Sequence, residues 1–143
     1  MKYAVDILEK QDLPSYKSLI DECFGDSCDI EKYYSYSNNK GYRIFVVKDG
    51  DEVVGSVTWY AVDLFTFDFQ PCLMLFNVAV RKNRRRENIA SEMLKYVISQ
   101  AEKEGYKSIS LTCLNDAYPA HKLYESVGFV RTDSIKYSLY IDK

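Results

Sequence analysis

The sequence predicts an α/β (α+β) fold: a mixed, mostly antiparallel central sheet flanked by helices, in one domain spanning residues 1–143. Three observations predict it. Short runs rich in Val, Ile, Tyr and Phe recur along the chain, as strands do. Amphipathic helical stretches alternate with them. No internal repeat or linker divides the 143 residues, which suffice for one real core.

Residues 2–8 alternate apolar and polar through Tyr3, Val5 and Ile7, a strand pattern. Asp12 is placed to cap a helix through Phe24, with Pro14 in its first turn. Leu13, Tyr16, Leu19, Ile20 and Cys23 form its apolar stripe. A second short helix is expected over residues 29–36. Residues 42–47 and 52–62 read as a hairpin, with the Asp49-Gly50 pair as its turn signal. Residues 63–70 form a loop or flared strand end with Phe65, Phe67 and Phe69. Residues 71–81 are almost wholly apolar, as expected of a central strand. Residues 88–104 give the clearest helix, with Ile89, Ala90, Met93, Leu94, Val97, Ile98 and Ala101 on one side. A strand over residues 106–113 follows. Then comes a helix begun by Asp116 and Pro119 and stopped by Gly128. Residues 129–131 and 135–141 are expected to close the sheet as a hairpin.

An apolar fraction of 47% and a charged fraction of 28% are those of a soluble globular protein. The formal charge is −2, yet five of the six residues from Arg81 to Arg86 are basic. Without that run the chain holds 14 positive against 21 negative charges. Nucleic-acid binders spread positive charge over a face. One basic spot on an acidic body suits a small polyanion instead. Neither an apolar leader nor a membrane-length apolar run is visible, so a cytoplasmic protein without membrane partners is expected. Cys23, Cys28, Cys72 and Cys113, with the single histidine His121, are poor material for a metal site. Reduced, mostly buried thiols are expected.

An apolar strand, a basic loop and a helix start follow one another at residues 73–90. The start of a helix leaves about four backbone N–H groups without helical partners and carries partial positive charge. Such a loop can cradle phosphate oxygens, with flanking arginines adding charge-assisted bonds. Ala90 is small, and Asn88 tolerates left-handed dihedrals better than most residues. The local physics points to a pyrophosphate-bearing ligand. The two common nucleotide-binding motifs, G-x-x-x-x-G-K-S/T and G-x-G-x-x-G, are not present.

The stretches FNVAVRKNRRRENIASEML and HKLYESVGFVR together resemble the GNAT superfamily of N-acetyltransferases. The superfamily's acetyl-CoA signature, Gln/Arg-x-x-Gly-x-Gly/Ala, falls on Arg85 to Ala90, and its tyrosine before a Gly-Phe pair falls on Tyr124. The resemblance implies an acetyl-CoA-dependent transfer to a primary amine of a small molecule or protein, by direct attack and without a metal. It implies that backbone groups of Val78, Ala79 and Val80 pair with the pantetheine arm. It implies that Arg85, Arg86, Glu87, Asn88, Ile89, Ala90 and Ser91 hold the pyrophosphate, leaving the other basic residues for the remaining CoA phosphate. The thioester would lie where the central strand and the strand over residues 106–113 splay apart. Tyr124 would protonate the leaving thiolate, and Asn115 would add a CoA contact.

This chain departs from the superfamily pattern twice. Asn88 replaces the signature glycine, and Thr112 stands where many relatives carry a glutamate base. A base, where one is needed, must be Asp116, Asp63, Asp68, His121 or a water chain. Both departures also fit a CoA-binding sensor or interaction module without catalysis. Tyr124 belongs to the stripe Ala120, Leu123, Tyr124, Val127, which equally suits a core aromatic. Asp116 reads as a helix cap and His121 as a surface residue. Tyr33, Tyr34, Tyr60, Phe65, Phe67 and Phe69 suit either an aromatic acceptor pocket or a homodimer contact.

Overall fold

A computed structural model of the chain describes residues 3–25, 29–37, 39–64, 66 and 70–142, with the backbone alone at residues 63 and 64. Phe65, Phe67, Phe69 and Cys28 lie outside the described residues. The elements run β1 (Val5–Ile7), α1 (Leu13–Phe24), α2 (Ile30–Ser37), β2 (Tyr42–Asp49), β3 (Glu52–Leu64), β4 (Gln70–Val80), α3 (Ile89–Lys103), β5 (Ser108–Ser110) and α4 (Tyr118–Ser126). The five strands form one sheet in sequence order. The first four pair antiparallel, and β5 joins β4 in parallel. A parallel neighbour requires a crossover, which α3 supplies.

Two apolar clusters hold the sheet between layers of helix. One joins Phe45, Val57, Trp59, Leu73 and Leu75 to Ile89, Met93, Leu94, Val97 and Ala101 of α3. The other joins Ile44, Val46, Val53 and Ala79 to Tyr16, Leu19 and Ile20 of α1. Each fully buried Val, Leu or Met contributes roughly 1.5–3 kcal/mol, so the α3 stripe is a principal source of stability. Gly55 lets α3 sit close. A Cβ there would lie 3.0 Å from Ile89 Cγ2 and 3.3 Å from the Ala79 carbonyl oxygen.

Four sequence expectations need correction. Asp12 is buried and does not cap α1 through its side chain. Its carboxylate instead accepts from the Glu9 N–H at 2.9 Å and pairs with Lys48 Nζ at 3.2 Å. The β2–β3 turn is Gly50-Asp51, one residue later than expected, because Asp49 already pairs with Glu52. There Gly50 takes the positive φ of 61° that the turn requires. Helix α4 is entered through Ala117 instead of Asp116, again without a side-chain cap. Finally, β5 holds only three residues, and residues 130–142 form no strand. Three rungs are a short edge on which to build two more strands. The last segment therefore runs exposed, with Ile135, Tyr137, Leu139 and Ile141 between 76% and 92% accessible.

Candidate functional site

The site begins with a fault in β4. Ser56 pairs with Ala79 and Thr58 with Phe76, so Val57 alone faces Asn77 and Val78. Two residues opposite one make a β-bulge, and Asn77 takes its left-handed position with φ 54°. The bulge bends the strand shortly past Met74, the last residue that β4 pairs with β5. Beyond that rung, residues 75–80 and residues 111–115 have no ladder between them. Backbone groups around Val78 thus stand at the opening of a splayed sheet, while Ala79 and Val80 remain paired to β3.

The chain then enters the basic loop, whose five cations have different fates. Arg81 is buried and donates to the carbonyl oxygens of Val53 and Ser15, both at 2.9 Å, and to Ser18 Oγ at 3.1 Å. Glu22 and Glu52 lie at 3.7 and 3.9 Å from its guanidinium. Arg84 bonds Glu87 at 2.8 Å, Asp49 at 2.9 Å and Tyr3 at 2.6 Å, and its carboxylate partners hold it firmly charged. These two cations are the loop's internal struts and are not spare charge for a ligand. Lys82, Arg85 and Arg86 are exposed. Arg85 leans back to donate to the Val80 carbonyl oxygen at 3.2 Å. Helix α3 starts at Asn88, which has φ 60° and ψ 22° and makes no side-chain cap. Its carbonyl accepts the Glu92 N–H at 3.1 Å, the first helical bond. The first-turn N–H groups thus have no capping side chain from Asn88, and three exposed cations precede them in the chain.

Tyr124 lies on α4, half-buried against the same apolar cluster that takes Val78 and Ala90. Its ring meets Phe129 edge-on at 6.0 Å. Burial, followed by the charge of Cys113, pushes its phenol above the ordinary range. It is protonated at neutral pH and equipped to donate. Tyr124 lines an open cleft of about 1180 Å³ with Met74, Thr112, Cys113, Asn115 and His121. The cleft runs along the free side of β5, toward residues 129–136.

The sequence model of the acetyltransferase (GNAT) family matches residues 9–129, which takes in the bulged strand, the basic loop, α3 and α4. The chain belongs to the GNAT acetyltransferase family. Its curated relatives include N-acetyltransferase 8 of Homo sapiens, 33% identical over 75% of this chain and 46% of the relative. N-acetyltransferase family 8 member 2 of Rattus norvegicus is 31% identical over 82% of this chain and 51% of the relative. The chain thus spans about half the length of the curated relatives it matches. Among solved structures, an acetyltransferase described as putative from Agrobacterium tumefaciens superposes with a TM-score of 0.84 at 20% identity, over 98% of this chain and 99% of its own. An aminoglycoside acetyltransferase from an uncultured soil metagenomic sample, crystallised with trehalose, gives 0.85 at 18% identity, over 99% of this chain and 97% of its own. These likenesses confirm the GNAT fold.

Within this GNAT chain residues 85–91 run from the end of the basic loop into the first turn of α3, following the bulged strand that carries Val78, Ala79 and Val80. Asn115 is elsewhere and already engaged. Its Oδ1 accepts from Arg131 at 2.7 Å, and its carbonyl faces His121. Thr112 is exposed and lines the cleft. Tyr33 and Tyr34 pack on the α1 cluster, and Tyr34 also lines a small pocket with Leu8, Glu9 and Ser37. Tyr60 joins an aromatic row across four elements, Tyr36–Tyr42–Tyr60–Phe76, with centroid spacings of 5.8, 5.8 and 6.4 Å. Sequence reasoning missed Asn77, although a strand-averse, left-handed-tolerant asparagine inside an apolar run was a readable sign. It also missed the meeting of Cys113 with His121, which arises only where β5 turns into α4. Among the described residues, no cluster could hold a metal ion, and no helix is long and apolar enough to cross a membrane.

Proposed function

We propose that the chain, acting as one domain over residues 1–143, is an acetyl-CoA-dependent N-acetyltransferase that passes the acetyl group to a primary amine by direct attack. The observation that carries this reading is the sequence of parts along β4 and α3. A bulge opens the sheet, a loop with three exposed cations follows, and a helix starts on a left-handed residue with its first turn uncapped. That series presents strand-like backbone, then cationic charge, then N–H donors, matching a pantetheine arm and a pyrophosphate in that order.

In this reading the backbone of Val78, Ala79 and Val80 holds the arm, and a backbone N–H of β4 stabilises charge developing on the carbonyl oxygen. Arg85, Arg86, Glu87, Asn88, Ile89, Ala90 and Ser91 hold the pyrophosphate through backbone donors and the two arginine heads. Asn115 adds a contact from the far side. Tyr124 gives its proton to the leaving thiolate. The amine loses its proton through water along the cleft beside Thr112, where no carboxylate is needed for an amine already neutral. The aromatic row ending in Tyr60 and Phe76 forms the acceptor's wall.

Thermal shift with acetyl-CoA and with CoA, run beside free-thiol release over a panel of small amines and peptide amines, tests the proposal. A shift with amine-dependent thiol release supports it. A shift without release on any amine favours a CoA sensor, and no shift removes CoA altogether. Tyr60→Ala separates roles for the aromatic row: a raised acceptor KM supports the wall, whereas dissociation of a homodimer assigns the row to an interface.

A further inference from the structure

Cys113 stands just past the last rung of β5, exposed at the cleft. Its Sγ lies 3.7 Å from His121 Nδ1 and 3.9 Å from Nε2. Nε2 also lies 3.0 Å from the Leu114 carbonyl oxygen and 3.1 Å from that of Asn115. Carbonyl oxygens only accept, so this network assigns the neutral ring's proton to Nε2. Nδ1 is then left without a proton, and it is the nearer of the two ring nitrogens to the Cys113 thiol. A nucleophile, a base and a group orienting the base are the parts of an activated thiol. They share the cleft with Tyr124.

We propose that Cys113 is a second acyl acceptor, which takes the acetyl group from acetyl-CoA when no amine is present. The inference rests on the acetyl-CoA reading given above. The Cys113 S–H proton passes to His121 Nδ1, and Sγ bonds to the acetyl carbonyl carbon. The bond from that carbon to the CoA sulfur breaks, and the CoA thiolate takes a proton from the imidazolium. One thioester and one thiol become another thioester and another thiol, so the exchange is nearly balanced. The acetylated fraction of Cys113 therefore follows the ratio of acetyl-CoA to CoA, and excess CoA or an accepting amine strips it. The chain would carry a record of its donor supply on its own cleft wall.

The test uses the full chain with acetyl-CoA and no amine, read by intact mass and peptide mapping. The expected result is a gain of one acetyl group on Cys113 that is reversed by CoA and by neutral hydroxylamine. Cys113→Ala abolishes it, and His121→Gln slows it by about 100-fold. Thermal shift reports donor binding in the same samples. Bound acetyl-CoA with no adduct, or an adduct that survives Cys113→Ala, overturns the proposal while leaving amine acetylation intact. No donor binding defeats both readings together. Iodoacetamide probes the thiol without CoA: slower labelling of Cys113 in His121→Gln supports the base, and an unchanged rate overturns it.

Discussion

Asn88 sits where a side chain is costly and pays little for it. A left-handed residue costs roughly 1–2 kcal/mol for most side chains, less for asparagine and nothing for glycine. Asn88→Gly is therefore expected to keep folding stability within about 0.5 kcal/mol of the parent, whereas Asn88→Val loses about 1–2 kcal/mol. Urea unfolding of the two variants checks this, and equal stabilities would remove the strain argument. Tyr124 carries the chemical prediction at this scale. Tyr124→Phe keeps the ring against Phe129 but has no proton to give. Its kcat should fall about 100-fold with little change in the KM for acetyl-CoA. Because burial raises the phenol, the alkaline limb of the kcat profile in the parent should lie above the ordinary phenol range, near 10. A limb below that range would assign it to another group. Membership of the family was legible in the sequence because its two markers, at residues 85–90 and around Tyr124, are each a contiguous run of local letters. Asn77 and the Cys113–His121 contact were not, because a bulge and a loop closure are set by pairing across strands, not by neighbours in sequence.

Elements explain which of the loop's cations remain for a ligand. Arg81 and Arg84 tie the loop to α1, to the β2–β3 turn and to Tyr3, so their charge is spent before any ligand arrives. Composition alone could not separate them from Arg85 and Arg86. A second internal pair fixes the far end of α3. Arg43 on β2 donates to both carboxylate oxygens of Glu104, at 2.7 and 2.6 Å, while stacking 4.6 Å over Trp59. The Arg43 bonds hold Glu104 down at about 2, from an ordinary 4.5. A carboxylate lowered in the folded state stabilises above its unfolded pKa and loses that contribution as pH falls through the folded value. Glu104→Gln should thus cost about 1–2 kcal/mol at neutral pH, a difference that shrinks from pH 4.5 and is gone by about pH 2. Urea titrations across that range would show it; a constant difference would mean packing, not charge. Gly55→Ala tests the seat of α3. With Ile89 only 3.0 Å from the added carbon, the helix start must shift, at about 1–3 kcal/mol. The α3 stripe was plain in the sequence because a long amphipathic period is unambiguous. Strand β5 and the expected final hairpin were overread, because alternation in a short run does not say whether a partner edge exists.

At the scale of the whole molecule, burial is unevenly shared. Strands β2, β3 and β4 and helices α1 and α3 hold the fully buried side chains, whereas α4 has none and residues 130–142 are exposed. Hydrogen exchange should be fast along β5 and α4 and slow along β3 and α3, since local opening follows buried apolar contact. Uniform protection across the chain would contradict that division. The three-rung ladder between β4 and β5 consequently works as a seam. The basic loop and the start of α3 lie on the thick side of it, and the phenol and thiol ride on the thin side. Warming should part that seam before it melts the core, so turnover should fail several degrees below the main unfolding transition. In that sense the protein's working temperature is set by three backbone rungs, and its melting temperature by everything else.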